Sequence, residues 1–258
     1  MVPIILEEQI TRRNELRRNG IPKDIPQTFI NILLNSIETG VITKEKAHEE
    51  MNEMFIAGSI TTAISNAWIF KNLAMHPDIQ EKVYREIIDT CGHSEITSSD
   101  FSRLVYLDMV VKETLRLFGA PIVGREIVED LKVDEKTTIP AGIGVLLFIH
   151  GIHTNSDYWE RPGEFYPEHF ASSNKARRPE GAYIPFLIGP RFCPGNKYAM
   201  QSLKFVVANT MLHYEFSTDE KPPMDWRDSS FRFMFMACPL NGFCVQIKRR
   251  SHNPHHWS

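Results

Sequence analysis

Phe186-Leu187-Ile188-Gly189-Pro190-Arg191-Phe192-Cys193-Pro194-Gly195, running directly into Asn196-Lys197-Tyr198-Ala199, is the stretch on which the reading of this chain turns. Its glycines mark places where backbone must turn tightly or approach a ligand. The segment from Asn196 to Tyr214 is amphipathic, with Ala199, Leu203, Val206, Val207 and Met211 on one helical face. Cys193 therefore sits at a helix N-terminus, where the macrodipole and free backbone N–H groups favour an anionic sulfur. The anion is the form that ligates metal. A lone cysteine is more often a small buried hydrophobe, and it is the company of Cys193 that sets it apart.

The bulk of the chain bounds what that cysteine serves. The 258 residues are 42% hydrophobic and 24% charged, which is enough apolar surface for a core. A net charge of -3 gives no concentrated basic face for nucleic acid. Cys91, Cys193, Cys238 and Cys244 are widely spread, without Cys-x-x-Cys spacing, so neither a disulfide scaffold nor a zinc module is expected. A reducing compartment fits. Met1 to Leu6, followed by Glu7 and Glu8, is too short and wrongly flanked for a signal peptide. The apolar run Ile143 to Ile149 is far short of the roughly 20 residues a membrane helix needs and reads as a buried strand.

Helices dominate the first half. Ile4 to Asn19 is charged and helical until Gly20-Ile21-Pro22 stops it, and Pro26 to Gly40 reads as a second helix. A third begins near Thr43 and continues to about Met75, where His76-Pro77 ends it. At roughly 30 residues it exceeds the usual globular helix and is expected to cross the centre. Asp78 to Thr90 and Tyr106 to Phe118 make two more. Ile127 to Ile149 is rich in β-branched residues, with turn signals at Asp134-Glu135 and Pro140-Ala141-Gly142, and suits a short hairpin. Residues 155–192 show little periodicity. Phe231 to Val245, with Asn241-Gly242 between apolar runs, reads as another hairpin. No repeat and no interdomain linker is visible.

Phe186, Gly189, Arg191, Cys193 and Gly195 occupy every fixed position of Phe-x-x-Gly-x-Arg-x-Cys-x-Gly, and in this the chain resembles the haem-ligand signature of the cytochrome P-450 superfamily. The resemblance implies the C-terminal part of that fold, mainly α with a small β portion (α+β). It makes Cys193 the axial ligand to the iron of haem b, packs Phe186 near the sulfur and pairs Arg191 with a haem propionate. A thiolate ligand favours O–O cleavage. Arg125, in Pro121-Ile122-Val123-Gly124-Arg125, matches the position that reaches the second propionate, and Ala120, Pro121, Ile122 and Val123 resemble a segment lining the substrate pocket.

Two further motifs stand in the family's order. Ala57-Gly58-Ser59-Ile60-Thr61-Thr62 resembles the oxygen-binding motif, commonly Ala-Gly-x-acid-Thr-Thr. Gly58 would make room for dioxygen, and Thr61, beside Thr62, would hold it and a proton-carrying water. Ile60 replaces the acid, so proton delivery must use water or another group, a step worth on the order of ten- to ten-thousandfold in rate. Ala57 stands where some relatives carry a glutamate ester to the haem, so no such ester is expected. Ala57 and Ile60 would also face substrate. Glu113 and Arg116, three apart on a helix, read alone as a surface ion pair. The resemblance makes them a buried lock whose partner is Pro167-Glu168-His169-Phe170, with His169 in place of the common arginine.

His76-Pro77-Asp78-Ile79-Gln80, Thr138 to Gly142 and the stretch His153 to Trp159 resemble the family-four clan of animal enzymes, particularly the insect branch. Residues 1–258 then read as a single truncated haem-thiolate monooxygenase domain, without the N-terminal half and membrane anchor. The implied reaction inserts one atom of dioxygen into a lipophilic small molecule. Electrons would come from NADPH through a partner cytochrome reductase or a cytochrome b-type donor, because no Gly-rich dinucleotide fingerprint is present. Lys175, Arg177 and Arg178 suit a basic face for that reductase, or a solvated loop. The full-length family implies the endoplasmic reticulum membrane, whereas this chain, lacking an anchor, would be cytoplasmic or peripheral. The rival expectations are a non-catalytic fragment or decayed copy that binds haem poorly, and a peroxide-using haem enzyme. No Gly-x-Ser-x-Gly elbow supports a hydrolase. His252, His255 and His256 read as a disordered tail.

Overall fold

Proline and glycine punctuation sets the helix limits seen in a computed structural model of the chain, which describes residues 2–19, 28–120, 122–228, 231–233 and 236–250. The chain divides into two compact units, residues 1–60 and 61–258. The sequence shows no linker there because the division falls inside a continuous helix.

In the first unit α1 (Val2–Asn19), α2 (Phe29–Glu38) and the start of α3 (Lys44–Met75) enclose a small core of Leu6, Leu33, Leu34, Ala47 and Met51. Thr28 caps α2, its hydroxyl accepting the Asn31 N–H at 3.3 Å. Arg13 pairs with Glu38 at 3.1 Å, and Lys44 with Glu7. The expected stop at Gly20-Ile21-Pro22 and the start of the second helix at Pro26 lie outside the described residues, as do Pro121 and the three tail histidines.

Helix α3 has 32 residues and the limits its sequence predicts. Its burial differs from expectation. Residues 52–60 are all exposed, and the buried stretch begins at Ser65 and continues through Trp68, Ile69 and Leu73. An apolar helix face is buried only where another element covers it, so α3 is central over its second half alone. That half packs with α4 (Pro77–Cys91), α5 (Val105–Phe118) and α8 (Asn196–His213) into the main core. Trp68 stacks on Phe118 with ring centroids 3.8 Å apart and donates Nε1–H to the Ala237 carbonyl at 2.7 Å. Helix α5 starts after Leu104, which has no capping side chain. Glu86 of α4 supplies the cap, accepting the N–H groups of Tyr106 and Leu107 at 2.6 and 2.8 Å.

The β portion consists of two-stranded antiparallel pairs. β1 (Ile122–Glu126) pairs with β4 (Gly144–Phe148), and β2 (Leu131–Lys132) with β3 (Thr138–Ile139) inside that connection. The hairpin thus begins five residues before the expected Ile127. The turn at Asp134 is real, its carboxylate accepting the N–H groups of Lys136 and Thr137. The run from Ile143 does form a strand, but Leu146 is 73% and Phe148 54% exposed. A continuous apolar run implies burial only in a sheet covered on both faces, and this pair is not. Ile149, at the start of the short helix α6 (Ile149–His153), is the buried end of the run. Between α6 and α8 lie a 3-10 turn at Pro167–Phe170 and the single turn α7 (Ser172–Lys175).

At the C-terminus β5 (Tyr214–Ser217) pairs with β8 (Gln246–Arg249), and β6 (Phe231–Phe233) with β7 (Ala237–Pro239). Asn241-Gly242 is not the tip of the expected hairpin. It turns the chain off β7, with the Gly242 N–H on the Pro239 carbonyl at 3.2 Å, toward β8. The fold class read from the sequence, mainly α with a small β portion, holds. Among the described residues no helix is long and apolar enough to cross a membrane.

Candidate functional site

The loop before α8 is closed on itself. The Cys193 N–H donates to the Phe186 carbonyl at 2.8 Å; inside that closure Phe192 donates to Gly189, and Leu187 reaches back to Ile184 ahead of it. Gly189 has φ +79° and Leu187 φ +61°. The left-handed region is natural for the glycine, whereas for a leucine it is held only by surrounding structure. No sequence pattern announced Leu187. Phe186 packs against the main core. Cys193 is free and half-buried, two residues before Gly195, the cap residue of α8. A side-chain carbon on Gly195 would lie 3.8 Å from the cysteine sulfur, in ordinary van der Waals contact, which places this glycine beside the sulfur.

Arg191 is exposed and Arg125 half-buried on β1, its Nη1 on the Gly124 carbonyl at 2.8 Å. Among the described residues neither forms an ion pair. Ile122 and Val123 stand opposite Phe148 and Leu147 in the β1–β4 register, and Ala120 is half-buried. On α3 the carbonyls of Thr61 and Thr62 accept Ser65 Oγ at 2.9 Å and Asn66 Nδ2 at 3.1 Å. Ala57, Gly58 and Ile60 are exposed, with nothing within 4 Å of a side-chain carbon built on Gly58.

The Glu113–Arg116 pair is fully buried, not a surface pair. Every guanidinium N–H has an acceptor. Nε and Nη2 bind the Glu113 carboxylate at 2.9 and 2.7 Å, while Nη1 and Nη2 reach the carbonyls of His153, Pro162 and Glu164 at 2.8, 2.7 and 2.9 Å. Arg116 also lies 4.9 Å over the Trp159 ring. Glu113 Oε1 accepts the Tyr166 N–H at 2.9 Å and faces His169 Nδ1 at 3.1 Å. His169 Nε2 meets the Glu160 carbonyl, so both its nitrogens face oxygen atoms of the cluster. Burial works against the Glu113 carboxylate. The charge and hydrogen bonds of Arg116, with His169, more than offset this and hold its pKa below the usual range.

His153 belongs to the same cluster and was missed in the sequence. It is 2% exposed, its Nδ1 is 3.1 Å from the Arg116 carbonyl, and its Nε2 is 2.9 Å from the Ile184 amide.

The donor set suits an iron porphyrin: one soft sulfur on a pre-shaped loop, two guanidinium groups without ion-pair partners among the described residues for two carboxylates, and exposed apolar side chains at Ile188 and Phe192. Comparison with known proteins points the same way. Residues 3–241 match the family described as Cytochrome P450. The chain is 33% identical over 252 residues to "Cytochrome P450 4X1" of Homo sapiens, covering 96% of this chain and 48% of that protein. It is 30% identical over 244 residues to "Cytochrome P450 4V2" of Homo sapiens, 93% of this chain and 46% of that protein. With "Cytochrome P450 4d1" of Drosophila melanogaster it shares 32% identity over 223 residues, 80% of this chain and 43% of that protein. The chain spans about half the length of the curated relatives it matches.

Proposed function

The chain belongs to the cytochrome P450 family, and from that premise we propose that it supplies the thiolate side of a haem-dependent monooxygenase acting on a lipophilic small molecule. The observation that carries the reading is the closed loop before α8, which fixes a half-buried free Cys193 beside Gly195. Haem b would be held by the Cys193 sulfur, with Arg125 and Arg191 on its carboxylates, and would supply oxygen activation. The chain's own residues do the positioning. The Phe186 carbonyl fixes the cysteine backbone, and the buried Arg116 anchors the segment 153–164 on the approach to that loop. Thr61 and Thr62 would supply hydroxyls from α3. Electrons would come from NADPH through a reductase or a cytochrome b-type donor, and the enzyme of which this sequence is representative would work at the endoplasmic reticulum membrane.

The test is reconstitution of residues 1–258 with haem, reduction under carbon monoxide and a difference spectrum. A strongly red-shifted Soret band, absent in Cys193→Ala, is expected. Equal bands in both proteins would reject Cys193 as the ligand. Ile60 favours a second reading in which haem is bound but dioxygen is not turned over. Product formed with peroxide but not with NADPH and reductase would select it.

A further inference from the structure

We propose that His153 is a positioning residue that couples the buried Glu113–Arg116 pair to the Cys193 loop, as a neutral imidazole protonated on Nδ1. The partners fix the tautomer. The Ile184 backbone N–H can only donate, so Nε2 accepts from it at 2.9 Å; the Arg116 carbonyl can only accept, so Nδ1 carries the proton and donates to it at 3.1 Å. The ring therefore reads both ends of one path. On one side is the backbone of Arg116, whose guanidinium returns to the His153 carbonyl at 2.8 Å. On the other is Ile184, whose own carbonyl receives Leu187 N–H at 3.0 Å, one residue past the Phe186 carbonyl that holds Cys193.

Groups around the ring support a neutral form. Burial holds its pKa down to about 4; the Arg116 carbonyl opposes, the Arg116 guanidinium and His150 of the same helix reinforce, and Glu113 opposes. From the loop side the facing titratable group is Tyr183, its ring centre 5.4 Å away and its hydroxyl occupied by the Lys112 carbonyl at 3.0 Å. A second proton on the ring would leave the Ile184 N–H without its acceptor.

The proposal rests on the haem-thiolate reading for its consequence, but not for its geometry, and two substitutions separate the two. His153→Asn can keep an N–H near the Nδ1 position but has no atom at Nε2; His153→Gln can return an acceptor there. Amide hydrogen exchange on the haem-free chain reads the loop directly. In His153→Asn the Ile184 and Cys193 amides should exchange at least tenfold faster, with Val207 in α8 unchanged, and His153→Gln should restore protection. On the haem-loaded proteins the red-shifted carbon monoxide band of His153→Asn should fall at least twofold in favour of a shorter-wavelength band, with recovery in His153→Gln. Wild-type exchange in His153→Asn overturns the coupling. Faster exchange with an unchanged band overturns the positioning of the sulfur. If the wild type itself gives no red-shifted band, the haem-thiolate reading fails, and the exchange comparison still decides the coupling.

Discussion

Arg116 shows how much one residue can organise. Five N–H donors meet five acceptors drawn from α5, α6 and the loop after it, a fork that an ammonium cannot reproduce. A lysine keeps the charge but brings three donors to five buried acceptors, so Arg116→Lys is expected to destabilise the chain by about 2 kcal/mol or more, read as a lower urea midpoint with unchanged slope. The same cluster sets an acid limit. His153 is held neutral with a pKa of about 4, below the roughly 6.5 of a free histidine. Its contribution is complete above pH 6.5 and is lost as pH falls toward 4, where the unfolded chain takes a proton that the folded one refuses; the full loss is about 3 kcal/mol. Glu113, with its pKa depressed, adds a loss at lower pH still, as its carboxylate protonates. Urea midpoints from pH 8 to 4 should decline, and His153→Gln should flatten the upper part of that decline. The spacing of Glu113 and Arg116 was legible in the sequence, but spacing alone gives a surface pair. What buries it are the backbone carbonyls of Pro162 and Glu164, and carbonyl positions leave no mark on a residue pattern.

At the scale of elements, helix limits were readable because they are set locally. Pro77 ends α3 and opens α4, and the amphipathic repeat of Leu203, Val207 and Met211 runs the length of α8. The start of α5 is different. Its first turn is capped by Glu86, about 20 residues upstream on another helix, so no capping residue appears beside it. Removing that carboxylate leaves the N–H groups of Tyr106 and Leu107 without their acceptor, and Glu86→Ala is expected to destabilise by about 1–2 kcal/mol; a urea midpoint equal to that of the wild type would reject the capping role. The β pairs were legible only in part. Strands of two to five residues carry too few side chains for periodicity to show, and β5 finds β8 far along the chain, Ser217 standing opposite Gln246. Asn-Gly is a strong turn signal, yet the turn at Asn241-Gly242 redirects the chain between two pairs and does not close one. Turn chemistry fixes where the chain bends, not which strand it meets.

Large apolar side chains lie exposed on α3 and on β4. Met54, Phe55 and Ile56 on α3 are 43%, 55% and 47% exposed, and Leu146, Leu147 and Phe148 on β4 are 73%, 41% and 54% exposed. Among the described residues β4 has a hydrogen-bonding partner on one edge alone, β1, and a free strand edge carrying apolar side chains is a template for another chain. A net charge of -3 gives little repulsion to oppose association. Residues 1–258 are therefore expected to self-associate, with a weight-average mass in sedimentation that climbs above 29.7 kDa as concentration rises. Because the two patches are separate in sequence, they can be blocked separately: Leu146→Lys charges the strand edge and Phe55→Glu the helix face. If the strand edge drives association, Leu146→Lys alone returns the mass to that of the monomer, whereas a monomeric wild type at every concentration would mean that neither patch is sticky enough to matter.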